Sequence, residues 1–193
     1  MSFRSLKGLC AWLLGLMLIG PLPSAPPAVA AVRAPVHCPG SGLRPTPANL
    51  QEVEQATLCL IDIRRVSRGR SLLRHNVALA HVALRKARLM VHKDFFADIG
   101  PAGMTPLSQV AASSYPLRGG FFSIGQNLAW GTGAASSPAR IVEAWMADPP
   151  HRRIMLDPHY RDAGVGTFPA TPARVAGGRQ GATYAMEFGF RGR

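Results

Sequence analysis

The chain has 193 residues, with 22 lysines and arginines against 10 acids and a formal charge of +12. That length suits one domain with its own core. The charge favours anionic polymers or lipid headgroups. The arginine cluster at Arg64, Arg65, Arg68, Arg70 and Arg74 has no interleaved aromatics, which argues against a nucleic-acid platform and for a solvated basic face.

Residues 1–30 read as a signal peptide. Arg4 and Lys7 make a basic start, and Gly8 to Gly20 is a thirteen-residue, mostly apolar run, short for a membrane span. Prolines from Pro21 to Pro27 break the run, and Ala28-Val29-Ala30 is a small-x-small cleavage site. The alternative is a single membrane anchor. Cys10 lies inside the apolar run, away from the cleavage site, which argues against a lipoprotein anchor. Removal of this segment predicts a chain of charge +10 with no membrane span and two cysteines, Cys38 and Cys59. An even pair in an exported chain predicts a disulfide, worth roughly 3 kcal/mol for a loop of about twenty residues.

Residues 31–48, rich in proline and glycine, read as an irregular lead-in, and a single domain over 49–191 follows. Asn49, with Glu52 three residues on, predicts a capped helix to about Val66, striped by Val53, Ala56, Leu60 and Ile63. Asn76 opens a second helix with Leu79, Val82, Ala83, Ala87 and Met90 on one face. Pro101 and Gly103 mark a loop, and Thr105-Pro106 starts a short helix. Ile124–Trp130 reads as a short buried strand or an extended turn. Pro138 starts a helix with Ile141, Val142 and Trp145 inward, ended by Pro149-Pro150. Ala163–Phe168 and Ala182–Phe190 read as strands, the second alternating Tyr184, Met186, Phe188 and Phe190. Residues 169–181 between them read as a long mobile hairpin loop. Helices first and strands last predict an α+β fold, a sheet covered by helices.

Three segments carry polar, ligand-type residues beside aromatic or apolar anchors. They are Met90–Asp98 (MVHKDFFAD), Gly125–Gly131 (GQNLAWG) and Trp145–Met155 (WMADPPHRRIM), followed by Gly164-Val165-Gly166. In this order they resemble the CAP superfamily of cysteine-rich secretory proteins, venom antigens and plant pathogenesis-related proteins, and in particular its bacterial secreted SCP-like domains. The resemblance runs from about Leu58 to Phe190 and implies an α-β-α sandwich, a small antiparallel sheet covered by helices. Phe95-Phe96-Ala97-Asp98 is similar to a bacterial run that ends in the first cavity histidine, which places Asp98 on that position. Gln126 falls where the family generally has glutamate, His151 on the second cavity histidine, and Asp148 where animal members carry glutamate.

The resemblance implies a solvent-facing cavity of two histidines and two acids that holds a divalent metal, zinc in particular. Here aspartate and glutamine replace one histidine and one acid. A neutral amide is a poor zinc ligand and brings no charge. The implied site is therefore Asp98, Gln126, Asp148 and His151, with at most a low-affinity Zn2+ site at Asp98 and His151.

Each residue also has a plainer reading. Asp148-Pro-Pro-His151 fits the cap and first three positions of a helix, which gives Asp148 the job of capping the His151 backbone N–H. Asp98 before Ile99-Gly100-Pro101 fits a loop acid, and His92 a solvated helix residue. Gln126 fits a buried amide joining backbone to a ring. Trp130, Trp145 and Tyr184 read as core, with a lipid groove as the alternative, and Glu143 is left open between solvent and cavity. No Gly-x-Ser-x-Gly, His-Glu-x-x-His or phosphate-loop motif is present.

The sequence thus predicts a secreted, non-catalytic CAP domain, extracellular or at the cell envelope, whose ligand is a lipid, a wall polymer or a protein. The alternative is a weak metal-assisted hydrolase using Asp98 and His151. A toxin-like cationic protein ranks last, for want of an amphipathic basic helix.

Overall fold

Two asparagines open the first two helices by different means in this computed structural model, which describes residues 37–117 and 121–192. The predicted signal peptide and the first part of the lead-in lie outside the described residues. Helix α1 spans Leu50–Val66, yet the Asn49 side chain does not cap it. Its Oδ1 accepts from the Thr46 N–H at 2.7 Å and its Nδ2 donates to the Arg44 carbonyl at 3.0 Å. The expected capping box is therefore absent, and the Glu52 side chain packs over Gly40 instead. Helix α2, Val77–His92, is capped as predicted, Asn76 accepting from Leu79 N at 3.1 Å. Thr105 and Ser108 form a reciprocal box on α3, Pro106–Ala111. Pro138 and Pro149 each stand at the first position of a helix, α4 over Pro138–Ala147 and α5 over Pro149–Leu156.

Four strands form one sheet. They are β1 (Arg74–His75), β2 (Phe122–Thr132), β3 (Asp162–Phe168) and β4 (Gly181–Arg191), in the order β1-β3-β4-β2. The three long strands pair antiparallel as expected; the two-residue β1 is parallel to β3, so the sheet is mixed. Nothing in its two residues signalled β1. The predicted hairpin loop is built rather than loose. It holds a short helix α6, Ala173–Ala176, and Thr183 Oγ1 and Thr171 Oγ1 donate to the carbonyls of Ala170 and Arg179.

Alternation along β4 separates the two faces of the sheet. Tyr184, Met186 and Phe188 pack with Val53, Ile61, Ile141 and Trp145, so α1 and α4 cover that face. Trp145 is 1% exposed, and its indole N–H donates to Leu128 O. The opposite face receives α2. Gly164 and Gly166 allow the approach: a Cβ there would stand 2.0 Å from the backbone nitrogens of Ala80 and Leu84. The result is the helix–sheet–helix sandwich the sequence predicts.

Two features tie distant segments. The predicted bridge joins Cys38 to Cys59, with 5.8 Å between Cα atoms. Arg65, fully buried, donates to the carbonyls of Ser71, Met155, Asp157 and Tyr160. A buried guanidinium is tolerable only when its donors are satisfied in this way.

Candidate functional site

The inward stripe of α2 contains one charge. Leu79, Val82, Ala83, Lys86, Ala87 and Met90 are all buried, and spacing alone puts Lys86 among them. Its Nζ donates to the Asp98 carbonyl at 2.6 Å and lies 5.4 Å from the centre of the Phe95 ring. Backbone hydrogen bonding and cation–π attraction thus compensate its burial.

Beneath α2, β2 and β4 present a matching pair. Gln126 stands opposite Glu187 in register, and its Nε2 donates to Glu187 Oε1 at 2.5 Å. Glu187 is wholly buried and Gln126 only 8% exposed. Burial pushes the Glu187 carboxyl up to about 8, against the pull of the Gln126 amide and Lys86, while Asp98 adds to the rise. Gln126 Oε1 and Glu187 Oε2 are buried without a hydrogen-bond partner in the structure. A protonated Glu187 would carry a donor on an oxygen that otherwise only accepts.

Asp98 therefore reaches this cluster through its carbonyl, while its exposed carboxylate acts on Lys86 and Glu187 only through its charge. Gln126 lies inside the cluster. Asp148 and His151 form a second pair. Asp148 is the N-cap residue of α5 but makes no side-chain cap bond; its Oδ2 lies 2.5 Å from His151 Nδ1. The expected capping of the His151 backbone is thus replaced by orientation of the ring, which leaves Nε2 as the free nitrogen. Asn127, next to Gln126 but on the other face of β2, donates to the His151 carbonyl at 3.1 Å and anchors α5 to the strand. No hydrogen bond or ion pair in the structure joins the His151 ring to Asp98, Gln126 or Glu187. His92 is exposed and lies 5.4 Å from the Phe168 ring. Glu143 is exposed and pairs with Arg140 at 2.7 Å.

The family's sequence profile, described as the cysteine-rich secretory protein family, CAP, matches residues 59–175, more than half of the chain. The chain belongs to the CAP family. A Bacillus subtilis (strain 168) protein, the uncharacterized YkwD, is 25% identical over 120 residues, 62% of this chain and 44% of its own length. This CAP chain thus spans less than half of that curated relative. Among solved structures it resembles an extracellular SCP-domain protein from Bacillus anthracis str. Ames, with TM-score 0.60 and 18% identity over 76% of this chain and 44% of that one. It also resembles an outer surface protein from Borrelia burgdorferi, with TM-score 0.58 and 17% identity over 78% and 99% of the two chains. At these identities the likeness establishes the CAP fold alone.

Zinc takes three or four nitrogen, sulfur or anionic oxygen ligands. Among the described residues of this CAP domain no three or more histidines, cysteines or acids are grouped to hold a metal. The carboxyl nearest Gln126 is one that burial drives toward its neutral form, with the Lys86 ammonium close by. That donor set does not fit the zinc site that the family implies.

Lys86 and Glu187 were missed by sequence reasoning, though both left a signal. Lys86 falls on the buried stripe of its helix. Glu187 is the acid in the alternation Thr183, Ala185, Glu187, Gly189, in a strand otherwise uncharged from Gly181 to Phe190.

Beyond this cluster, α2 and α3 border a groove of about 600 Å3. Leu89, Met104 and Ala112 give it an apolar lining, and Arg85, Arg88 and His92 stand on its α2 side. Its chemistry suits a molecule with an apolar body and an anionic end.

Proposed function

We propose that this protein is an extracellular, non-catalytic binding domain that holds a lipid-like anionic amphiphile between α2 and α3. The observation that carries the proposal is the apolar groove flanked by Arg85, Arg88 and His92. Its size lies within the range of small-molecule sites. In the Lys86–Glu187 cluster the ammonium is held by the Asp98 carbonyl and the carboxyl by the Gln126 amide, and both side chains are buried, which supports a binding role over a catalytic one there. Export is supported by the apolar run at residues 8–20, by a disulfide of the kind that persists outside the cytoplasm, and by the extracellular and outer-surface descriptions of the two structural neighbours. No helix among the described residues is long and apolar enough to cross a membrane.

The test is co-sedimentation with phosphatidylglycerol vesicles at low salt, with phosphatidylcholine vesicles as the neutral control. Binding to the anionic vesicles that falls at least ten-fold in Arg85→Ala/Arg88→Ala supports this reading. Equal binding to both vesicle types, or none to either, removes it and leaves a wall polymer or a protein as the ligand.

One observation favours a second reading, the metal-assisted hydrolase. Asp148 holds the His151 ring as carboxylates hold metal-binding histidines. Metal analysis of the purified protein, with Asp98→Ala and His151→Ala as controls, decides it. Stoichiometric zinc lost in both variants supports the hydrolase.

A further inference from the structure

A second groove, of about 810 Å3, lies at the open edge of the sheet. It exists because β1 has two residues. They cover Asp162 and Ala163 of β3 and leave the rest of that edge without a strand partner. Helices α1 and α2 pack on opposite faces of the sheet and wall the gap, with Val165 on the floor and Leu58 and Leu84 on the two sides.

The charge of this groove is opposite to that of the chain. No lysine or arginine lines it, although the protein carries 22 of them; Glu54 and Asp62 do. Glu54 Oε1 accepts from Thr167 N–H at 2.8 Å, and Asp62 Oδ1 accepts from Leu73 N–H at 2.9 Å. Neither has a salt-bridge partner among the described residues. Arg65 stands one helical turn from Asp62, but its guanidinium donates to four carbonyls. Asp62 is 9% exposed, and its second oxygen has no hydrogen-bond partner in the structure. Burial pushes both carboxyls up, Asp62 to about 6, against the backbone N–H bond that each accepts and, at Asp62, against the charge of Arg65. Buried acids are ordinarily paired.

We infer that the groove between α1 and α2 is a second binding site, for a cationic amphiphile: an ammonium group on an aliphatic chain. The ammonium sits against Asp62, the more deeply buried acid, and the chain runs along Leu58, Val165 and Leu84 toward Glu54, about 12 Å away on the same helix. His75 and His81 also line the groove, from β1 and α2. This site is separate from the groove between α2 and α3 and does not depend on the reading given to it.

The test is calorimetric titration of the purified protein with decylammonium below its micelle concentration, and with decanoate as the charge-reversed control. The expected result is saturable one-to-one binding of decylammonium. Glu54→Gln/Asp62→Asn weakens it at least ten-fold. The substituted amides keep an oxygen for the Thr167 and Leu73 N–H groups, so circular dichroism stays unchanged. Should that variant fail to fold, Leu84→Arg, at a side chain 37% exposed on the groove wall, gives the same loss. Absence of saturable decylammonium binding, or binding undiminished in a folded variant, overturns the inference. So does displacement of decylammonium by decanoate, since an acidic groove rejects a carboxylate.

Discussion

Gln126 and Glu187 face each other across β2 and β4, amide nitrogen to carboxyl oxygen, both buried beneath α2. Position 126 is where the family resemblance expects an acid, and the structure supplies the acid from the neighbouring strand. Gln126→Glu would set two buried carboxyls against each other, and like charges at that separation cannot both ionise. The single variant is expected to lose on the order of 3 kcal/mol at pH 7.5, read by urea denaturation. Gln126→Glu/Glu187→Gln restores one acid and one amide and should recover most of that loss. A double variant no more stable than the single one would mean that the two side chains are not coupled.

Stability should fall as pH rises through this pair. The folded-state values of Glu187, about 8, and Asp62, about 6, lie above those of the free groups. The native protein therefore binds more protons than the unfolded chain between about pH 4 and 8, and the slope of unfolding free energy against pH is negative there. This contribution is complete below the unfolded carboxyl values and is lost as pH climbs past the folded ones. Melting temperature measured from pH 5 to 9 should decline, and Glu187→Gln should flatten the upper part of that decline.

The close approach of α2 to β3 predicts intolerance at two glycines. Gly164→Ala and Gly166→Ala each drive a methyl group into the backbone of α2, which cannot step aside as a flexible side chain does. Each is expected to cost more than about 3 kcal/mol, near the upper end for single substitutions. Gly42→Ala, where an added methyl meets nothing within 4 Å, is the control and should stay within about 1 kcal/mol of the parent.

Asp148 and His151 make a narrower claim. Both are partly exposed, so their pairing is worth less than about 1 kcal/mol. Asp148→Ala should leave melting nearly unchanged but abolish the slowly exchanging imidazole Nδ1 proton signal of His151 in a nitrogen-edited spectrum. That signal persisting in the variant would show that another group holds the ring.

Much of the fold was legible because its cues are local. Asn76 and Thr105 cap, prolines 138 and 149 start helices, and alternation through Tyr184, Met186 and Phe188 marks a core face. The failures are equally instructive. Asn49 and Asp148 have cap chemistry and stand at helix starts, yet their side chains bond elsewhere: Asn49 to the preceding turn, Asp148 to an imidazole three residues on. Local spacing cannot choose between such partners when both lie within reach. The two-residue β1 owes its existence to β3, almost ninety residues away in the chain. Asp98 and Gln126 could be placed on one hollow from family position, but their real neighbours, Lys86 and Glu187, come from two other elements, and although each falls on an inward-facing position of its own element, nothing local shows that the four meet.

Arg65 has a bearing on how the molecule is made. Three of the four carbonyls that accept from it belong to Met155, Asp157 and Tyr160, some ninety residues downstream. A nascent chain that has reached only α4 holds a guanidinium it cannot sequester, so the first helix cannot settle into its final environment while synthesis is under way. Final burial of the first helix therefore has to await residues 155–160, however early that helix itself forms.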